Sequence, residues 1–248
     1  MTYLSLLAII RSEDPVYIEE WVNHHRGHGV EHFYLLDHVP NPVPIPALKN
    51  VTVIEVPSPR RQNQYYFEAL QAIHARWCLV IDADEFLVAA RPLADILPDY
   101  EDFDGLGVHW LMFGSSRRKE KVYPVHGGYQ WRTPFEHSEN RHIKSVINPA
   151  TVHEISNDPH FFIGTKTVNE RYEPLHGAFD EYCGDLLRLN HYWTRSEADW
   201  RDKLVRGRAD CDIGDGRSWQ DFHRLNAACT VYDPDPCHIN NHIEIVTK

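Results

Sequence analysis

In "YLSLLAIIR", residues 3–11, the apolar positions run on without alternating, the pattern of a strand buried on both faces. The next segment changes period. Tyr17, Ile18, Trp21, Val22 and His25 recur at three- and four-residue spacing, which predicts a helix with one apolar stripe. Asp14 suits its N-cap and Pro15 its first turn, while Gly27 and Gly29 offer places to stop. "EHFYLLD" (31–37) and "VTVIEV" (51–56) read as strands on either side of a proline-rich loop, "VPNPVPIPALKN". "QNQYYFEALQAIHA" (62–75) predicts a second long helix, and "WCLVI" (77–81) a fourth strand.

Strands alternating with helices in this way predict an α/β fold, a doubly wound, mainly parallel sheet flanked by helices. Ligands of such sheets bind beyond the carboxyl ends of the strands. Arg11, Asp37 and the group from Asp82 to Glu85 all fall at those ends. Past residue 100 the pattern loosens. "GLGVHWLMF" (105–113) predicts a strand and "GSSRRKEK" a polar loop. "SVINPATVHEI" (145–155) and "HFFIGTKTV" (160–168) read as shorter strands, and "SEADWRDKLVRGRA" (196–209) as a helix capped by Ser196. No repeat or linker interrupts the chain, so one domain over 1–248 is expected, with a nucleotide half over about 1–100 and an acceptor half after it.

"WCLVIDADEFL", residues 77–87, drives an apolar strand straight into three acids, Asp82, Asp84 and Glu85. Like charges this close repel, so something must reward the arrangement. On an extended backbone residues two apart share a side, and Asp82 and Asp84 then both face the crevice. Two carboxylates side by side suit a hard divalent ion such as Mn²⁺ or Mg²⁺. The alternative is a solvated turn, where Asp is common.

Composition narrows the partners. The 248 residues carry a formal charge of −11, which argues against a nucleic-acid partner. An anionic substrate then needs a local basic site or a metal. "LSLLAII" is too short for a membrane span, and no secretory leader is read, so a cytoplasmic setting is expected, at most peripheral at the inner membrane face. Five scattered cysteines (Cys78, Cys183, Cys211, Cys229, Cys237) read as reduced packing thiols. Of 17 histidines, His24 with His28, and His238 and His242 with Cys237, hint at zinc, but neither cluster completes a four-ligand pattern.

Several ordered segments together resemble the inverting glycosyltransferases of GT-A fold, most closely the family 92 type and bacterial relatives of the family 2 type. These are "IIRSEDPVYIEEWVNHHRGHGVEHFYLLD", "WCLVIDADEFL", "HWLMFGSS", "IKSVINP" and "LNHYWTRSEADWRDKLVRG". The resemblance implies transfer of a sugar from a nucleotide-diphosphate donor, UDP-sugar favoured, to a saccharide or glycan hydroxyl. It puts the divalent ion on Asp82 and Asp84, completed by His191. Arg11, Glu13, Asp37, Arg195, Ser196, Lys203 and Arg206 are its nucleotide-binding candidates, and Trp110, Phe113, Ser115, Ser116 and His160 its acceptor wall. "RSED" and "HVPNPVP" depart from the pattern and put base recognition in doubt.

An inverting transfer needs a general base. Glu85, Glu136, Glu154, Asp158 and Asp180 are all candidates, and spacing does not choose among them. Three other readings compete. A sugar nucleotidyltransferase wants a glycine-rich basic loop after the first strand, and "RSEDP" has no glycine. A non-catalytic sugar- or nucleotide-binding module has no need of paired metal carboxylates. A metal-dependent nuclease wants a basic stripe that this chain lacks.

Overall fold

The computed structural model describes residues 2–11, 13–38, 48–57, 61–207, 216–239 and 245–246. Strand β1 (Thr2–Ile10) is central and pairs in parallel with β2 (His32–His38) on one side and β4 (Ala75–Val80) on the other. Strand β3 (Val51–Val56) extends the parallel run beyond β2. Past β4 the direction mixes. Strand β8 (Ile143–Ile147) lies antiparallel between β4 and β6 (Gly105–Met112). Strand β10 (Leu187–His191) then runs parallel to β6, and β5 (Glu85–Ala89) closes that edge antiparallel to β10. With β9 (Thr167–Val168) paired to β6, nine strands among the described residues form this sheet. A small second sheet joins β7 (Trp131–Arg132), β11 (Val231–Tyr232) and β12 (Ile245–Val246).

The unbroken apolar run of β1 is explained by its two neighbours. Leu4, Leu6, Ala8 and Ile10 pack with Tyr17, Ile18, Trp21 and Val22 of α1 (Pro15–Gly27). Leu7 and Ile9 face the other way, onto Tyr65, Tyr66, Ala69 and Leu70 of α2 (Gln62–Ala72). The fold is the expected mixed α/β arrangement of a mainly parallel sheet with helices on both faces. Asp14 caps α1 by accepting from Val16 N at 3.0 Å, with Pro15 in the first turn. Gly29, at φ 97°, turns the chain out of the helix.

Several elements differ from the periodicity reading. Helix α2 ends three residues early, because Ile73 turns extended and Ala75 already pairs with Thr2 in β4. The segment 145–155 is strand only to Ile147, after which Pro149 opens a short 3-10 turn. Only Thr167–Val168 of 160–168 is strand. The additions are strands β5 and β10 and two helices, α3 (Leu93–Ile96) and α5 (Trp219–Ala228), beside the expected α4 (Glu197–Arg206). No described helix is long and apolar enough to cross a membrane.

Candidate active site

The two acids converge through a turn rather than by strand alternation. Residues Ala83 and Asp84 turn between β4 and β5. Four hydrogen bonds pin that turn. Glu85 N donates to Asp82 O at 3.1 Å, and Asp82 N to Glu85 Oε2 at 2.8 Å. Tyr192 N, just past β10, donates to Asp84 O at 2.9 Å, and Arg195 donates to Ala83 O at 3.1 Å. Arg195 holds this post with φ 51°, a left-handed backbone that costs a non-glycine residue free energy.

Each carboxylate of the pair meets a buried lysine. Lys144 of β8 reaches Asp82 Oδ2 at 2.8 Å and lies 3.8 Å from Glu85 Oε1. Lys203 of α4 bonds Asp84 Oδ2 and the carbonyl of Trp193. His191 Nε2 stands 3.5 Å from Asp84 Oδ1. Glu13 bridges Arg206 at 2.6 Å and Arg195 at 3.5 Å. Burial opposes the charge on Asp84, yet Lys203 and His191 hold its carboxyl well below the usual range. Glu13 is lowered too, because Arg206 and Arg195 outweigh its burial. Glu85 goes the other way: burial pushes it well up, helped by Asp82 and Asp84. Burial lowers Lys203 to about 8, against the pull of Asp84. Burial likewise lowers His191, in spite of Asp84.

A cavity of about 480 Å³ opens over this turn at the carboxyl ends of β1 and β4. Arg11, Glu13, Asp82, Asp84, His160 and His191 line it, as does Trp110. The Trp110 ring stacks on His142 at 4.6 Å and meets the edge of His191 at 4.3 Å. Arg206, Arg217 and Arg224 add three basic side chains to the lining. Arg224 lies on α5, and Arg217 donates to Gly207 O at 3.3 Å beside the end of α4.

The other expected residues sit elsewhere. Glu85 is fully buried behind Asp82, and Asp37 is buried within β2. Arg195 and Lys203 line a smaller neighbouring pocket with Tyr17 and Asp199, while Ser196 caps α4. Phe113 packs on Tyr192 at 5.0 Å, and Ser115 donates to Asn226 Oδ1 at 2.7 Å. Ser116 Oγ accepts from Gln130 N and Trp131 N. Glu136 and Glu154 are exposed and do not line the cavity. Asp180 accepts from Asn169 at 3.0 Å, and Asp158 from His160 N at 2.7 Å.

Asp82, Asp84 and His191 do not fit a divalent ion as they stand. Two of the three have a lysine ammonium already on the carboxylate, and among the described residues no group of three or more His, Cys, Asp or Glu could hold a metal. The same holds for the two zinc hints. His24 lies 4.8 Å from His28 and 4.4 Å from His126, ring to ring, but its Nε2 donates to Leu87 O. His242, like Cys211, lies outside the described residues, and Cys78, Cys183, Cys229 and Cys237 are free thiols.

Sequence reasoning missed Lys144, Glu139 and the α5 arginine. The α5 signal was present: Ser218 and Asp221 form a capping box before Phe222 and Leu225. Lys144 carried no such signal, since a lysine inside "IKSVINP" reads as a strand's solvent face until the pairing of β8 with β4 turns it inward.

No family model matches the chain, and no curated protein matches it. Among solved structures it is similar to the bifunctional IspDF of Campylobacter jejuni, with a TM-score of 0.40, 11% identity, and 68% of this chain and 49% of that one covered. HddC of Yersinia pseudotuberculosis gives 0.39, 12%, 68% and 89%. S. aureus TarS gives 0.34, 14%, 60% and 48%. The chain thus spans about half the length of the first and third. Likeness at this level carries no argument about what this chain binds or transfers.

Proposed function

We propose that this chain transfers a sugar, with inversion, from a nucleoside-diphosphate donor to a saccharide hydroxyl. The observation that carries the reading is one cleft in which the acidic β4–β5 turn and Trp110 face Arg206, Arg217 and Arg224. The ordered resemblance to the family 92 type, whose segments carry Arg11, Asp82, Trp110, His191 and Arg206 of the lining, supports the same chemistry.

In this reading Arg11 and Glu13 stand beside the nucleoside of a UDP-sugar, and the three arginines take the diphosphate. Charge grows on the leaving diphosphate as its bond to the anomeric carbon breaks, and fixed guanidinium groups stabilise it most at that moment. Trp110, flanked by His142 and His160, offers an aromatic edge and wall to the acceptor sugar. Glu139 is the base: it lines the cavity next to that wall, and its carboxylate stands 3.6 Å from His142 Nδ1. It takes the proton of the acceptor hydroxyl as the oxygen attacks.

The nucleotidyltransferase alternative differs in its products. Glycosyl transfer releases a nucleoside diphosphate, whereas nucleotidyl transfer from a nucleoside triphosphate and a sugar phosphate releases pyrophosphate. A thermal-shift panel of nucleotide sugars, followed by product analysis with saccharide acceptors, separates them. Release of nucleoside diphosphate with a new glycoside is the expected result. Pyrophosphate release would replace the reading, and a panel with no shift at all would end it.

A further inference from the structure

The acid pair at the β4–β5 turn needs positive charge, and two side chains of this protein already supply it. Lys144 and Lys203 are 1% and 2% exposed, so each ammonium has given up water for a carboxylate partner. Around the turn, Glu13, Asp82 and Asp84 are matched by Lys144, Arg195, Lys203 and Arg206, each within 4 Å of an opposite charge, while burial favours the neutral form of Glu85. The group therefore has no uncompensated negative charge to attract a dication. A divalent ion on Asp82 and Asp84 would also stand beside two buried ammonium groups.

We propose that the cleft binds its nucleoside diphosphate without a divalent ion. Lys144 and Lys203 neutralise Asp82 and Asp84, and Arg206, Arg217 and Arg224 receive the phosphates. The inference rests on the glycosyl-transfer reading and adds how its donor is held. In this arrangement Asp82 and Asp84 are positioning residues. They fix the two lysines and, through the turn's own hydrogen bonds, the floor of the cleft.

The test is calorimetric titration of UDP, GDP, CDP and ADP into the full chain, once with EDTA and once with Mn²⁺, together with Mn²⁺ alone. The tightest of the four should bind with the same Kd, within about threefold, in both conditions, and Mn²⁺ alone should give no saturable heat. Lys203→Met leaves Asp84 without its cation. It should weaken nucleotide binding at least tenfold in EDTA, with Mn²⁺ restoring part of the loss. Lys203→Arg keeps the charge and guards against simple misfolding: it should remain indifferent to EDTA. Binding that appears only with Mn²⁺, or tight binding of Mn²⁺ alone, overturns this inference and leaves the glycosyl-transfer reading standing. No binding of any of the four nucleotides in either condition overturns both.

Discussion

Lys203 and Asp84 are 119 residues apart, and the ammonium of one rests on the carboxylate of the other inside the protein. Removing one partner of such a pair strands the other charge, at a typical cost of about 3–5 kcal/mol. Asp84→Asn should therefore unfold at lower denaturant, not merely lose activity. Lys203, already lowered to about 8 by burial, limits the damage by shedding its proton. The destabilisation should thus be larger at pH 7 than at pH 9, and Asp84→Asn with Lys203→Met should recover most of it. A single variant as stable as the parent at pH 7 would show that the pair holds nothing.

That pair also marks how far the sequence could be read. The strand ends that carry Arg11 and Asp82 follow from runs of apolar residues whose period is local, and both line the cleft. The acids themselves were legible as a problem. Their answer was not, because Lys144 and Lys203 meet them through β8 and α4, and pairings across 62 and 119 residues leave no trace in local spacing. The two-apart spacing of Asp82 and Asp84 suggested one side of a strand, while the chain brings them together in a turn. Trp110 lay inside a segment the resemblance pointed to and does line the cleft; Phe113 lay in the same segment and went into the core.

Helix α4 presents Lys203 and Arg206, so its start should matter to binding. Ser196 Oγ accepts from Asp199 N at 3.1 Å, and Asp199 in turn accepts from Ser196 N, Tyr17 and Tyr129. Ser196→Ala should cost about 1 kcal/mol of stability, the usual worth of an N-cap. If the cap also aims the helix, nucleotide affinity should fall in the folded variant. Calorimetry well below its melting temperature reads that second effect separately.

The buried histidines predict sensitivity to acid. His25 donates from Nδ1 to Trp21 O at 2.8 Å and accepts at Nε2 from Leu87 N at 3.2 Å, a pairing open only to the neutral ring. Burial pushes His24 down to about 4 and His25 well below its ordinary value. A folded pKa below the unfolded one means that the unfolded chain takes up protons first. Stability from these rings is complete above about pH 6.5 and is lost as pH falls from there toward 4. At pH 5 His24 alone should account for about 2 kcal/mol. Urea midpoints at pH 7.5 and 5 measure the loss, and His24→Gln, which keeps a donor for Leu87 O, should shrink it. Equal midpoints for the parent at both values would contradict the buried neutral state.

Glu139 is the carboxylate on the cleft wall least committed elsewhere. Glu13 is held by two arginines, Asp82 and Asp84 by lysines, and Asp221 by the cap of α5. Glu139 is 36% exposed at its side chain, with His142 Nδ1 3.6 Å from its carboxylate, beside the ring of Trp110. Its position fits a base that meets an acceptor hydroxyl. Glu139→Gln keeps the shape and removes the proton acceptor, so kcat should fall by about 10²–10⁴-fold, the usual share of a general base. Nucleotide affinity and melting temperature should stay where they are, because the side chain supports neither the turn nor the arginines. A rise in the acceptor KM with kcat unchanged would make Glu139 a binding group instead, since that pattern marks interactions equal in ground and transition states. Turnover equal to the parent's at saturating acceptor would remove Glu139 from the reaction and turn attention to Asp221, which also lines the cleft.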